Sequence, residues 1–112
     1  MNFYDKVHEL VKCLKETNEY NEYLKLKKEI SLDNKSYEML KDFKKKQQEQ
    51  QIAYMNTGKI DEDAKKVLEN IYSILIQNET ARQLLEYEMR IDVMLADMQK
   101  IIGEGIREIL EY

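Results

Sequence analysis

The residues with the chemistry to do work in this chain are few: one histidine, His8, one cysteine, Cys13, a carboxylate at Glu88 inside an apolar seam, and a Gly103-x-Gly105 pair. A base and a nucleophile must meet to form an activated pair. His8 and Cys13 are five residues apart, roughly 140° around a helix of 3.6 residues per turn, so they cannot meet on the helix that carries both. Cys13 is instead expected to be a buried or half-buried residue of the first helix. One His and one Cys make no tetrahedral zinc set, and no Glu-x-x-His pair of a di-iron bundle is present. Gly103 and Gly105 follow no strand and precede no phosphate-binding lysine, so they read as a helix stop or bend and not as a phosphate cradle. Glu88 has two readings: an acid of raised pKa, or a structural partner of an Arg, Lys or Tyr across the bundle, the form in which buried charges normally occur. The structural reading is adopted. No catalytic residue, metal or cofactor is expected, and the chain is read as no enzyme.

The elements that position these residues are helices. Pro is absent, Gly occurs three times and 36% of residues are charged, the composition of an all-α protein. At 112 residues the chain is expected to form a single domain spanning residues 1–112, with a modest core. No apolar run approaches the roughly 20 residues of a membrane span, and MNFYDKVHEL has no signal-peptide pattern. One cysteine forms no internal disulfide, so a reducing cytoplasm is the expected compartment and no membrane partner is expected.

Periodicity divides the chain into five helices. The first runs near Tyr4 to Glu16, with Phe3, Val7, Leu10, Val11 and Leu14 on one stripe. Thr17 caps a second helix marked by Tyr20, Tyr23, Leu24 and Ile30. Asp33 or Asn34 caps a third, which runs to about Asn56 and stops at Gly58, a residue suited to the left-handed terminus. Asp61 caps a fourth carrying Val67, Leu68, Ile71, Ile74 and Leu75. Asn78 caps the last.

That last helix carries Leu84, Glu88, Ile91, Leu95, Met98 and Ile102 in alternating steps of four and three, a seam for a partner helix. Unbroken from Glu79 to Glu111 it is about 50 Å long, against a radius of gyration of about 13 Å for a chain this size. If it stops near Gly103 and Gly105 it is about 36 Å. Either way it overhangs one monomer, and a homodimer joined along the seam is expected. The third helix poses a second question. Its stripe of Tyr37, Leu40 and Phe43 is interrupted by Gln47, Gln50 and Gln51 before Tyr54. Its middle turns either project into water or use Gln47 and Gln51 in a polar layer across a subunit interface. Met89, Met94, Met98 and Tyr54, Tyr72 and Tyr87 are core fillers or an adaptable binding surface.

The net charge is −4, and residues 1–56 hold 11 Lys against 10 acids while residues 57–112 hold 7 Lys and Arg against 12. This is no polyanion-binding footprint, and direct nucleic-acid binding is not expected. The alternative, a nucleic-acid module on Lys41 and Lys44 to Lys46 beside Tyr37 and Phe43, has only that short basic run. A small-molecule enzyme would need Glu88 or Cys13 to act without visible partners.

The order and spacing of NFYD at the start, Leu10 to Leu14, ETNEY at 16–20, Leu40-x-x-Phe43 with its Gln-rich run, Glu88-x-Arg90 and LADMQKII at 95–102 resemble the YlbF/YmcA/YheA family of bacterial helical proteins over nearly the whole chain. The resemblance implies an antiparallel helical bundle of about five helices with a long C-terminal helix, dimerising. It also implies an adaptor role. The YlbF and YmcA branches act with a third protein, YaaT, in support of ribonuclease Y during messenger RNA maturation, and affect competence, biofilm formation and sporulation. Iron–sulfur clusters in that complex are held through cysteines. The YlbF branch has a cysteine-bearing tail that is missing here, and the NFYD start looks closer to the YheA branch. Protein partners are therefore expected, of unassigned identity.

Overall fold

The computed structural model describes residues 2–112, and all regular structure among them is helical. The order is α1 (Phe3–Lys15), α2 (Asn18–Ile30), α3 (Asn34–Thr57), α4 (Glu62–Leu75), α5 (Glu79–Gly105) and a short α6 (Arg107–Leu110). Each start has a local cause. The orphan N–H groups of a first turn need acceptors, and Asn2, Thr17, Asp33, Asp61 and Asn78 supply them. Asn2 Oδ1 accepts from the Tyr4 N–H at 2.8 Å, Thr17 Oγ1 from Tyr20 at 3.3 Å, and Asp61 Oδ1 from Asp63 at 3.0 Å. Between α3 and α4, Gly58 adopts φ +70, where a side chain would be strained, and its N–H donates to the Tyr54 carbonyl at 2.7 Å.

The question of the last helix is resolved at Gly105. The helix passes through Gly103, ends at Gly105, and Ile106 leaves helical geometry before the single turn of α6. Its 27 residues span about 40 Å. A Cβ at either glycine would meet nothing within 4 Å, so the stop comes from glycine's backbone freedom and not from crowding.

Where one domain is expected, the contacts resolve two compact units. Residues 25–84 form one, and residues 1–24 with 85–112 form the other. Every fully buried hydrophobic residue lies in the first: Leu26 and Ile30 of α2, Leu40 and Phe43 of α3, Leu75 of α4, and Ala81 and Leu84 of α5. There α3 and α4 pack as an αα-hairpin, with the Phe43 and Tyr72 rings 6.0 Å apart. Full burial of a side chain such as Ile30, Leu75 or Leu84 contributes about 1.5–3 kcal/mol, so this unit holds its own core. The second unit, built on α1, the start of α2, most of α5 and α6, has no fully buried hydrophobic residue among those described. Its side chains are half-buried at best.

The Gln-rich turns of α3 include one contact that neither reading above foresaw. Gln50 is half-buried, and its Nε2 donates to the Ala64 carbonyl of α4 at 2.7 Å. Gln47, which accepts from Lys44 Nζ at 3.2 Å, and Gln51 are exposed. One glutamine thus joins the hairpin internally and two face outward.

A junction of caps closes the first unit. Asn78 Oδ1 accepts from the Ala81 N–H at 2.9 Å, and its Nδ2 donates to Ser36 Oγ at 3.2 Å and to Asp33 Oδ2 at 3.5 Å. One carboxamide caps α5 and ties it to the start of α3. Removing an N-cap costs about 0.5–2 kcal/mol, and Asn78→Ala also removes the links from α5 to Ser36 and Asp33. It should therefore lower stability by about 2 kcal/mol, more than Thr17→Ala, as read from the midpoints of urea unfolding followed by circular dichroism.

Candidate functional site

The surface that stands out is the one left uncovered on the second unit. The stripe read on α1 is present but unpartnered: Phe3 is 70% exposed, and Val7, Leu10 and Val11 each more than 40%. Leu14 alone is half-buried. Cys13 is exposed, not buried or half-buried as expected. At 100° per residue it lies roughly 100° away from the centre of the apolar stripe, so even Leu14's partial cover does not reach it.

The seam of α5 divides by unit. Leu84 is 2% exposed and sits in the first unit's core, so its side chain has no surface left for a partner. Glu88, Ile91, Leu95 and Met98 are half-buried in the second unit, and Ile102 is exposed. The seam is therefore partly covered by its own unit and opens toward the C-terminal end, where Ile101, Ile109 and Leu110 are also exposed. A further apolar face lies on the opposite side of α5, at Met89 and Val93, both more than half exposed. With Glu19, Arg90 and Met94 they line a shallow groove of ≈ 240 Å³. Met89 and Met94 are among the residues read above as core fillers or an adaptable surface, whereas Val93 carries no signal beyond being one more apolar residue of a long helix.

Glu88 is half-buried in the unit that also holds Tyr20, Tyr23 and Asp92. The Tyr23 phenol is pushed above its ordinary value of 10.0, first by burial, then by the negative charge of Glu88, with Tyr20 and Asp92 adding to it. Ionising Tyr23 would place a third negative charge near two carboxylates in a partly dry site, so it stays protonated. Arg90 is engaged elsewhere, 3.4 Å from Glu86 and 4.8 Å from the Tyr87 ring. Among the described residues no three His, Cys, Asp or Glu side chains converge as a metal cradle would require.

The lysine face is partly offset by neighbouring acids. Lys41 lies 3.1 Å from Glu38 with its ammonium 4.8 Å over the Tyr37 ring, and Lys46 lies 2.7 Å from Asp42. These exposed pairs are each worth only about 0.3–0.5 kcal/mol, yet each sets an acid beside a base and flattens the local field. No helix of the described residues is long and apolar enough to cross a membrane.

Comparison with known proteins places this architecture among relatives. Residues 3–107 match the family described as control of competence regulator ComK, YlbF/YmcA. The chain is 38% identical over 110 residues to a UPF0342 protein of Desulfitobacterium hafniense, covering 98% of this chain and 89% of that one. It is 34% identical over 103 residues to a UPF0342 protein of Symbiobacterium thermophilum, covering 92% of each. A UPF0342 protein of Clostridium tetani is 35% identical over 106 residues, covering 95% of this chain and 91% of its own. No solved structure matches the chain.

The Tyr23 environment can be read directly. With carbon-13 in the tyrosine ring, the NMR titration of Tyr23 should lie above the ordinary tyrosine value. Glu88→Gln should move it down without returning it fully, because burial is the larger cause. The folded state holds this proton longer than the unfolded chain does, so stability falls as pH rises past about 10. A Tyr23 titration unmoved by Glu88→Gln would separate the carboxylate from the phenol.

Proposed function

This chain belongs to the YlbF/YmcA family, and from that premise we propose that it is a non-enzymatic regulatory adaptor that works as a homodimer through the apolar surface of α1 and α5. One observation carries the reading. A whole compact unit, 52 of the 112 residues by its bounds, has no fully buried hydrophobic residue among those described yet exposes Phe3, Val7, Leu10, Val11, Met89, Val93 and Ile102. Apolar surface on this scale marks an interaction site. The seam residues Ile91, Leu95, Met98 and Ile102 form the proposed contact surface on α5, with Glu88 as its internal polar member and Leu84 holding the helix from the other unit's core. Gln47 and Gln51, exposed on α3, are polar contacts for a partner.

Carried from the relatives, the regulatory role is control of competence, exercised by contact with other proteins. By the same likeness it extends to ribonuclease Y-dependent maturation of messenger RNA, with biofilm formation and sporulation downstream. The site of action is the cytoplasm, with no cofactor. A nucleic-acid module on Lys41 and Lys44 to Lys46 is not favoured, because the basic run is short, two of its lysines pair with Glu38 and Asp42, and the chain as a whole is acidic.

Leu95→Asp and Ile102→Asp should each convert the dimer to monomer in light scattering. Ile102→Asp should leave helicity unchanged, since Ile102 is exposed within the monomer, whereas Leu95→Asp also lowers stability by burying part of an unpaired charge. Two variants that remain full dimers would remove the α5 surface from the interface. Replacing Lys44, Lys45 and Lys46 together by Gln should leave dimerisation and RNA retention unchanged, and a large loss of RNA association would restore the nucleic-acid reading.

A further inference from the structure

Where α3 and α4 come away from Gly58, the hairpin encloses an open cleft of ≈ 850 Å³ lined by Gln50, Tyr54, Ile60, Ala64 and Val67 among others. Tyr54, Ile60 and Val67 are 53%, 59% and 44% exposed. Of the two amides lining it, Gln50 already donates to the Ala64 carbonyl, so an apolar visitor leaves that donor satisfied, and Gln51 is exposed. Two helices cannot between them cover such a face, and a third laid along it completes a bundle.

The same chain presents a helix of the required kind. Helix α1 has 13 residues and α4 has 14, so both are about 20 Å long. Phe3, Val7, Leu10 and Val11 give α1 anchors at the spacing by which an amphipathic helix fills a groove. Its exit is held rigid. Thr17 Oγ1 donates to the Leu14 carbonyl at 2.7 Å and accepts from Tyr20, while Asn21 Nδ2 donates to the Lys15 and Thr17 carbonyls at 3.2 and 2.8 Å. A helix ordered before it binds loses little entropy on docking.

Charge summed over the two units is compatible with α1 meeting the cleft, while α1 itself carries three Lys against two acids and the cleft lining two Lys against two acids. The unit carrying α1 holds 6 Lys and Arg against 12 acids, a net −6, whereas the unit carrying the cleft holds 12 against 10, a net +2. Pairing α1 units with each other sets −6 against −6, and pairing an α1 unit with a cleft unit sets opposite signs together.

From these three observations we propose that the α3–α4 cleft holds helix α1 of a second copy of this chain. In a closed two-fold pair each copy gives one α1 and receives one, which doubles the small area of a single docked helix toward the roughly 1,200 Å² of a stable interface. The proposal rests on the homodimer reading above and adds to it the surface on which α1 lands.

Cys13 provides a probe already in place: it is exposed on α1 and is the only cysteine. A benzophenone maleimide attached there, in an equilibrated mixture of nitrogen-14 and nitrogen-15 copies, is photolysed and the cross-linked peptides are mapped by mass spectrometry. Cross-links between differently labelled copies falling in residues 46–67 are expected. In unlabelled protein Leu10→Asp and Val67→Asp should each raise the dimer dissociation constant roughly 30-fold or more, as truncation of a central anchor does, with helicity retained because both residues are exposed in the monomer. A dimer whose cross-links lie within one copy, or fall between copies only on α5, overturns the docking of α1 and leaves the homodimer standing. A dimer without cross-links between copies does the same. A wild-type chain that is monomeric in light scattering removes both.

Discussion

The structure depends first on a single side-chain amide. Asn78 accepts from the Ala81 N–H at the start of α5 and donates to Ser36 and Asp33 at the start of α3. Two helix N-termini, each with unsatisfied N–H groups, are thereby tied to one another 42 and 45 residues apart in the chain. The Asp33 carboxyl is held below the ordinary carboxylate range chiefly by the Ser36 hydroxyl and then by the Ser36 N–H. The polar junction thus favours its charged form, with the Lys35 N–H and ammonium adding smaller shares. Ala81 is 0% exposed three residues beyond Asn78, and Leu75 and Leu84 flank it in sequence. The packing of α3, α4 and the first turns of α5 is organised from this point.

From that point burial is unequal. The unit containing the junction buries seven hydrophobic residues, and the other buries none among those described. Helices α2 and α5 contribute residues to both units, so the well-packed core anchors one end of each helix whose other end has little cover. The proposed adaptor role rests on this division. A side chain such as Leu84 stabilises the monomer, whereas Ile102, eighteen residues along the same seam, is exposed.

Electrostatics follows the same division. A modest net charge of −4 conceals one strongly acidic unit and one slightly basic unit. Each unit holds local pairs such as Lys46 with Asp42 and Arg90 with Glu86. Such pairs add little stability but weaken the local attraction for a polyanion.

The sequence by itself determined what is local. Helices begin at Thr17, Asp33, Asp61 and Asn78 because short polar side chains there accept from the next turn, and α3 stops at Gly58 because glycine enters the left-handed region without strain. The apolar stripes of α1 and α5, and Ile30, Leu40, Phe43, Leu75 and Leu84 as apolar members, were legible from spacing. So was the family. Leu26, four residues before Ile30, had the same signal and went unread, and Ala81 had none beyond its small size. Only the tertiary structure decided which stripes are covered. Periodicity states that a face is apolar, but burial depends on whether another element lies within van der Waals reach, and that is set by contacts distant in sequence. Leu84 and Ile102 occupy equivalent seam positions, yet one is 2% and the other 48% exposed. Cys13 lies outside for the same reason, because cover over α1 reaches only Leu14.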